Sequence, residues 1–441
     1  MPDISILNEE QLRGLLRLDR DVLDCIAGGF EALASKAVIM PPVLHLEIAD
    51  ANGEIDVKTA YVPGLDMLAM KMSPGFFDNP KIGLPSLNGL MVVFSAKTGI
   101  VEALLLDNGY LTDLRTAAAG GVAADILARK DAKKAGILGA GVQARLQLQA
   151  LNLVRPLQSA LVWARDGGQA EACAQEMTDA LGIPIDISDD IGALCAASDV
   201  VVTTTPANKP LLLKEHLHPG LTIIAMGSDA HYKNEVAPEA LAAADAYVCD
   251  RLSQVRLLGE LHHAIEAGTV DAHAAFPELG EVIAGQKPGR EDATQCILCD
   301  LTGTGVQDTA IAALADGRCR RDRLIRPVIG LFPEERMMAM PQNDAHMAND
   351  TDMAEELYAS RRRTYRGFLH MTKWFVIHAA LILFGLLLLR FQEGASGGFI
   401  FIAAGVAALA YGMGTTARAG AKPMPKSDAA DRPLAYRQAA E

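Results

Sequence analysis

Residues 135–150 read Ala-Gly-Ile-Leu-Gly-Ala-Gly-Val-Gln-Ala-Arg-Leu-Gln-Leu-Gln-Ala. A short apolar run meets a glycine turn and a helix pattern follows at once, which is the local grammar of a dinucleotide site. Gly139 allows the tight turn, Gly141 lets the backbone approach a pyrophosphate, and the small Ala144 lets the helix pack close to its strand. With Ala140, Val142 and Gln143, the opening of this helix offers unpaired N–H groups and a positive dipole end to phosphates. Three charged residues elsewhere stand in places that ask for a purpose. Lys71 interrupts an alternating apolar strand, and a lysine inside such a strand needs a partner or a task. Arg115 lies at a helix start, and a guanidinium meets a carboxylate with two parallel hydrogen bonds. Asp229 follows a glycine at the C-terminal end of a predicted strand, the edge at which open α/β sheets bind ligands.

The elements that must hold these residues follow from the pattern. Strands are predicted at 136–138, 160–163, 199–204, 221–226 and 246–249, with Ala-rich helical stretches such as 169–181 between them. Strands alternating with helices give a parallel α/β sheet. The second strand ends Trp163-Ala164-Arg165-Asp166, with no acid where a ribose 2′-OH would be read. Arg165 beside that place suits a 2′-phosphate, which tilts the expectation from NAD toward NADP and leaves both open.

Composition sets the bounds. A chain of 441 residues suits two or three domains. Its formal net charge of −14 argues against nucleic acid, whose binders need a basic face. Seven scattered cysteines fit a reducing cytoplasm rather than a disulfide framework, and Cys296-Ile-Leu-Cys299 reads as two buried thiols. After about residue 330 the pattern changes. Residues 326–360 read as a linker, and 361–417 hold two uncharged apolar runs, each near the roughly 20 residues of a bilayer crossing. Basic flanks (Arg361, Arg362, Arg363, Arg366, Lys373; Arg418, Lys422, Lys426) put both ends of this transmembrane hairpin in the cytoplasm. A disordered cytoplasmic tail is expected over 418–441, so the catalytic part would be anchored to the inner membrane.

Several stretches, in order, resemble the ornithine cyclodeaminase/μ-crystallin family. They are Tyr110-Leu-Thr-Asp-Leu-Arg-Thr-Ala-Ala-Ala-Gly120, the glycine loop, Ala225-Met-Gly-Ser-Asp229, Glu278-Leu-Gly-Glu-Val-Ile-Ala-Gly285 and Thr302-Gly-Thr-Gly-Val-Gln-Asp308. The resemblance covers about residues 1–325. Residues 79–89 and 258–263 look most like its ectoine-utilisation branch. The resemblance implies a substrate-binding and dimerisation domain at 1–117, completed by a returning helix at about 302–325, and an NAD(P)-binding Rossmann-type domain at 118–301. It implies a homodimer acting on a small amino or imino acid. Lys71 matches the family's active-site lysine, Asp229 its catalytic aspartate, and Arg115 the arginine used on the substrate carboxylate. His45 stands about where a second substrate-binding arginine is usual, which puts a double-arginine clamp in doubt. Asp56 and Lys58 on the next predicted strand are further candidates for the pocket wall.

The resulting expectation is an NAD(P)-dependent cyclodeaminase-like enzyme, with no metal. A cyclic imine reductase or amino-acid dehydrogenase is the alternative, and a non-enzymatic binder or a respiratory-complex accessory protein the further one. The last arises because residues 361–374 resemble subunit IV of bacterial aa3-type cytochrome c oxidases.

Overall fold

The computed structural model describes residues 4–322 and four isolated positions, Ile377, Ala404, Val406 and Ala407. Apart from those four, the expected linker, membrane hairpin and tail lie outside the described residues. Among the described residues no helix is long and apolar enough to cross a membrane.

Two sheets carry the fold. The first comprises β1 (Ser5–Asn8), β2 (Leu44–Ile48), β3 (Gly53–Ala60), β4 (Met67–Phe76), β5 (Leu90–Ser95) and β6 (Val101–Leu106). Their spatial order is β1-β6-β5-β4-β3-β2, with β1 parallel to β6 and all other pairs antiparallel. Side chains alternate between the faces of a strand. One face therefore buries Ala60, Ala69, Met91, Val93, Ala103 and Leu105. The Gly305–Asp322 helix packs on β3 and β4, and the Arg20–Ser35 helix packs against it. Arg20–Ser35 starts where the Asp19 carboxylate accepts from the Val22 N–H, and it buries Val22, Leu23, Ile26, Phe30 and Leu33 along one stripe.

The second half contains β7 (Lys134–Leu138), β8 (Ser159–Trp163), β9 (Ile185–Ile187), β10 (Val200–Thr203), β11 (Asn208–Leu212), β12 (Thr222–Ala225), β13 (Asn234–Val236), β14 (Ala246–Cys249) and β15 (Ile297–Asp300). Seven of them form an all-parallel sheet in the order β14-β15-β12-β10-β7-β8-β9, and β11 pairs with β13 separately. The chain runs outward to β8 and β9 on one side of β7 and to β10 and β12 on the other. The crevice between β7 and β10 is thus a topological switch point, where doubly wound sheets bind ligands. All five expected strands are present within a residue or two. Four were not anticipated: the paired β11 and β13, the edge strand β9, and β15, which inserts between β14 and β12.

A single helix, Tyr110–Leu127, runs through the position 117/118 where the boundary between domains was expected. It packs on the Arg20–Ser35 helix and on Val142–Val154, so it braces both sheets. Cys296 and Cys299 are buried thiols. Burial pushes the Cys296 thiol up to about 11.

Candidate functional site

The glycine loop leaves β7 at the switch point. Gly139 adopts φ +125°, and a Cβ there would collide with Thr204 at the end of β10. Ala140 is buried behind it. Gly141 is the N-cap of the Val142–Val154 helix and makes no side-chain cap bond. A Cβ on Gly141 would meet nothing within 4 Å. The loop therefore opens onto space, with the orphan N–H groups of the first helical turn facing it. Val142 is 58 % exposed there. The Gln143 side-chain amide is already committed, donating to the Asp113 backbone and carboxylate, so only its main-chain N–H is left for a phosphate. This cradle fits a dinucleotide pyrophosphate. Asp166 caps the Gly167–Leu181 helix by accepting from the Gly168 and Gln169 N–H groups. Arg165 beside it is exposed and has no ion pair among the described residues.

Lys71 occupies the buried face of β4, next to Ala69 and only 2 % exposed. The register sets it between Lys58 on β3 and Met91 on β5. Its Nζ lies 3.2 Å from Asp308 Oδ1, and Arg115 Nε lies 3.1 Å from the same oxygen. Arg115 also donates from Nη1 to Gln307 Oε1 at 3.1 Å. It does not pair with Asp113, its near neighbour in sequence. Asp308 sits in the first turn of the Gly305–Asp322 helix, fully buried, and its Oδ2 has no hydrogen-bond partner. Burial is the main force pushing the Lys71 ammonium down, to about 7; Arg115 adds to it and Asp308 opposes it. Burial alone would raise the Asp308 carboxyl, but Lys71, Arg115 and Lys58 hold it below its usual value.

Asp229 faces this cluster from the loop after β12, its side chain 48 % exposed. Surrounding protein works to raise its carboxyl, yet Lys233, Lys58 and Arg115 outweigh that and lower it. Asp229 is therefore a carboxylate, ion-paired to Lys233 Nζ at 2.5 Å. Glu235 fixes the base of this loop. Its carboxylate accepts from the Gly227 and Thr205 N–H groups and from the Thr203 and Thr205 hydroxyls. The Tyr232 hydroxyl donates to Glu54 on β3 at 3.2 Å, so the loop touches the first sheet across the cleft.

His45 stands further out. It pairs in register with Asp56, and its Nδ1 lies 2.8 Å from the Asp56 carboxylate. Asp56 in turn opposes Ser73, so His45, Asp56 and Ser73 form a row on the face that carries Lys58 and Lys71, one pleat toward the edge.

Residues 4–322 match the ornithine cyclodeaminase/mu-crystallin family. The chain belongs to that family. An uncharacterised cyclodeaminase of Sinorhizobium fredii is 58 % identical over 316 residues, 71 % of this chain and 96 % of the relative. A Thermococcus litoralis Δ1-pyrroline-2-carboxylate reductase, solved with NADH and L-proline, superposes with a TM-score of 0.69 at 30 % identity, covering 72 % of this chain and 98 % of the other. An archaeal alanine dehydrogenase dimer with bound NAD gives a TM-score of 0.68 at 30 % identity, covering 73 % and 98 %.

This member of the family is an NAD(P)-dependent enzyme. Lys71 and Arg115 meet at Asp308, and Asp229 lies close enough to Arg115 and Lys58 for their charges to lower its carboxyl. Four contributors carried no assigned role in the sequence reading: Asp308, Gln307, Lys233 and Glu235. Asp308 and Gln307 lie inside a stretch singled out above, but an aspartate in a first helical turn reads as a dipole partner. Its actual partners come from distant strands and helices.

Proposed function

We propose that this enzyme moves a hydride between NAD(P) and the α-carbon of a small amino or imino acid, as a cyclodeaminase-like catalyst. The observation that carries the reading is the buried Lys71–Asp308–Arg115 cluster facing Asp229 across the C-terminal edge of the parallel sheet. Nicotinamide, when bound in the Gly139–Gly141 cradle, supplies or accepts the hydride. Arg115 holds the substrate carboxylate and fixes the α-carbon. Lys71, poised near neutrality, gives or takes the proton on the substrate nitrogen. Asp229 remains anionic and stabilises the positive charge that a protonated imine carries. In the cyclodeaminase sequence the transient imine is attacked by the side-chain amine, ammonia leaves, and the hydride returns to the same carbon.

A second reading, a net imine reductase, draws on the pyrroline-carboxylate reductase neighbour with its bound L-proline. One assay separates the two. L-Ornithine and diaminobutyrate are offered with NAD(P)+, and pyrroline carboxylate with NAD(P)H. Ammonia release without net change in nicotinamide absorbance identifies a cyclodeaminase, and NAD(P)H consumption with the cyclic imine identifies a reductase. Inactivity in every combination contradicts both.

Two further properties belong to this proposal. The exposed, unpaired Arg165 favours the 2′-phosphate of NADP(H). The outer face of the first sheet is apolar, with Leu44 59 % and Met70 39 % exposed, which suits a second copy in a homodimer.

A further inference from the structure

We propose that Lys58 is a substrate-binding residue that closes on the ligand carboxylate opposite Arg115. This rests on the reading of the cleft as a site for amino or imino carboxylates.

Lys58 is buried on β3, yet no carboxylate pairs with it among the described residues. Its ammonium has two main-chain acceptors, Gly303 O at 3.2 Å and Thr302 O at 3.4 Å. A buried ammonium is costly without a counter-charge. Asp308, a buried acid that feels the Lys58 charge, is already shared by Lys71 and Arg115 through one oxygen. Asp229, across the cleft, is ion-paired with Lys233. Lys58, Arg115 and Lys71 all act on the Asp308 carboxylate, and of the three only Lys58 makes no ion pair with it. A ligand carboxylate would give Lys58 the counter-charge it lacks.

The geometry points the same way. Lys58 and Lys71 are cross-strand partners on one face. The Gly303 peptide lies between Lys58 and Arg115: its carbonyl accepts from Lys58, and a Cβ on its other side would come within 2.5 Å of Arg115 Nη1. Two cations therefore flank one peptide. Gly303 is held by Asp250, whose carboxylate accepts from the Thr302 and Gly303 N–H groups at 2.8 Å each. A carboxylate seated beside this fixed turn reaches both cations, and the long Lys58–Thr302 contact is the one it would displace.

The test is equilibrium binding to the NADH-loaded full-length enzyme. The probes are L-proline, L-ornithine and L-alanine, each beside its carboxamide. The wild type is expected to prefer an acid over its amide. Lys58→Met should weaken the acid by about 10- to 100-fold, leave the amide within about 3-fold, and leave NADH binding unchanged. Lys58→Arg should restore most of the preference. An unchanged acid-to-amide ratio in Lys58→Met overturns the role of Lys58 alone, whereas a wild type that binds none of the probes overturns the reading of the site with it. If Lys58→Met does not fold, a crystal structure of the wild type with the preferred acid decides. A carboxylate oxygen within hydrogen-bond distance of Lys58 Nζ supports the role, and a larger separation overturns it.

Discussion

A side chain added at Gly141 would meet nothing within 4 Å, whereas one added at Gly303 would come within 2.5 Å of the Arg115 guanidinium. One glycine caps the Val142–Val154 helix and the other precedes the Gly305–Asp322 helix, and they are needed for opposite reasons. At Gly141 the missing side chain leaves room for a ligand to approach the backbone. At Gly303, φ +79° and the close cation mean that the room is already taken by the protein itself. The cofactor side is accordingly built from main-chain N–H groups on a rigid strand–turn–helix. The substrate side is built from buried charges that share partners. The first tolerates change in its side chains, and the second has few neutral substitutions.

That contrast can be broken or sharpened by substitution. The largest effect is expected from Lys71→Met, which removes the proton-handling group and should lower kcat by about 10²- to 10⁴-fold while NADH still binds, as followed by fluorescence titration. Gly303→Ala comes next. It forces a strained φ and displaces Arg115, so KM for an amino-acid substrate should rise by roughly 10- to 100-fold with little change in cofactor affinity. Gly141→Val is its counterpart: cofactor affinity should fall by about 10-fold while the melting temperature stays within a few degrees, because the added atoms enter open space. A fall in melting temperature with cofactor binding intact would reverse the assignment of the two glycines.

Asp308→Asn tests the shared charge through pH. Lys71 carries its proton below about pH 7 and loses it above. Asp308 attracts that charge, so removing its own charge must lower the pH at which the proton leaves. The inflection of kcat/KM near pH 7 in the imine-reducing direction, with activity lost on the alkaline side, should therefore move to lower pH. An inflection that stays fixed or moves up would show that Asp308 does not hold the Lys71 proton. The smallest effect is expected from Arg165→Ala, which should reduce any preference for NADPH over NADH by about 3- to 10-fold, measured as a ratio of kcat/KM values.

The same contrast explains what the sequence made legible. The cofactor loop is local: strand, turn and helix lie within twenty residues, so Gly139, Gly141 and the flanking strands were readable from periodicity and glycine spacing. Lys71, Arg115 and Asp229 were found through motifs, but their pairing was not. Asp308 meets Lys71 only because the chain returns to the first sheet after completing the second. Arg115 is turned toward Asp308 and Gln307, almost two hundred residues on in the chain. β15 went unread because four residues at the end of a glycine- and charge-rich stretch carry too little periodicity, and its place between β14 and β12 reverses chain order. His45 was flagged by its departure from the family pattern. Its partner Asp56 follows from strand register, which the sequence left loose.

The central claim is that a hydride passes between the cofactor and an α-carbon bearing nitrogen. It is tested most directly by supplying NAD(P)H deuterated at the transferable position together with pyrroline carboxylate, and reading the product proline by NMR. Deuterium at the α-carbon in the wild type is the expected result. Proline formed with only protium at the α-carbon would contradict it.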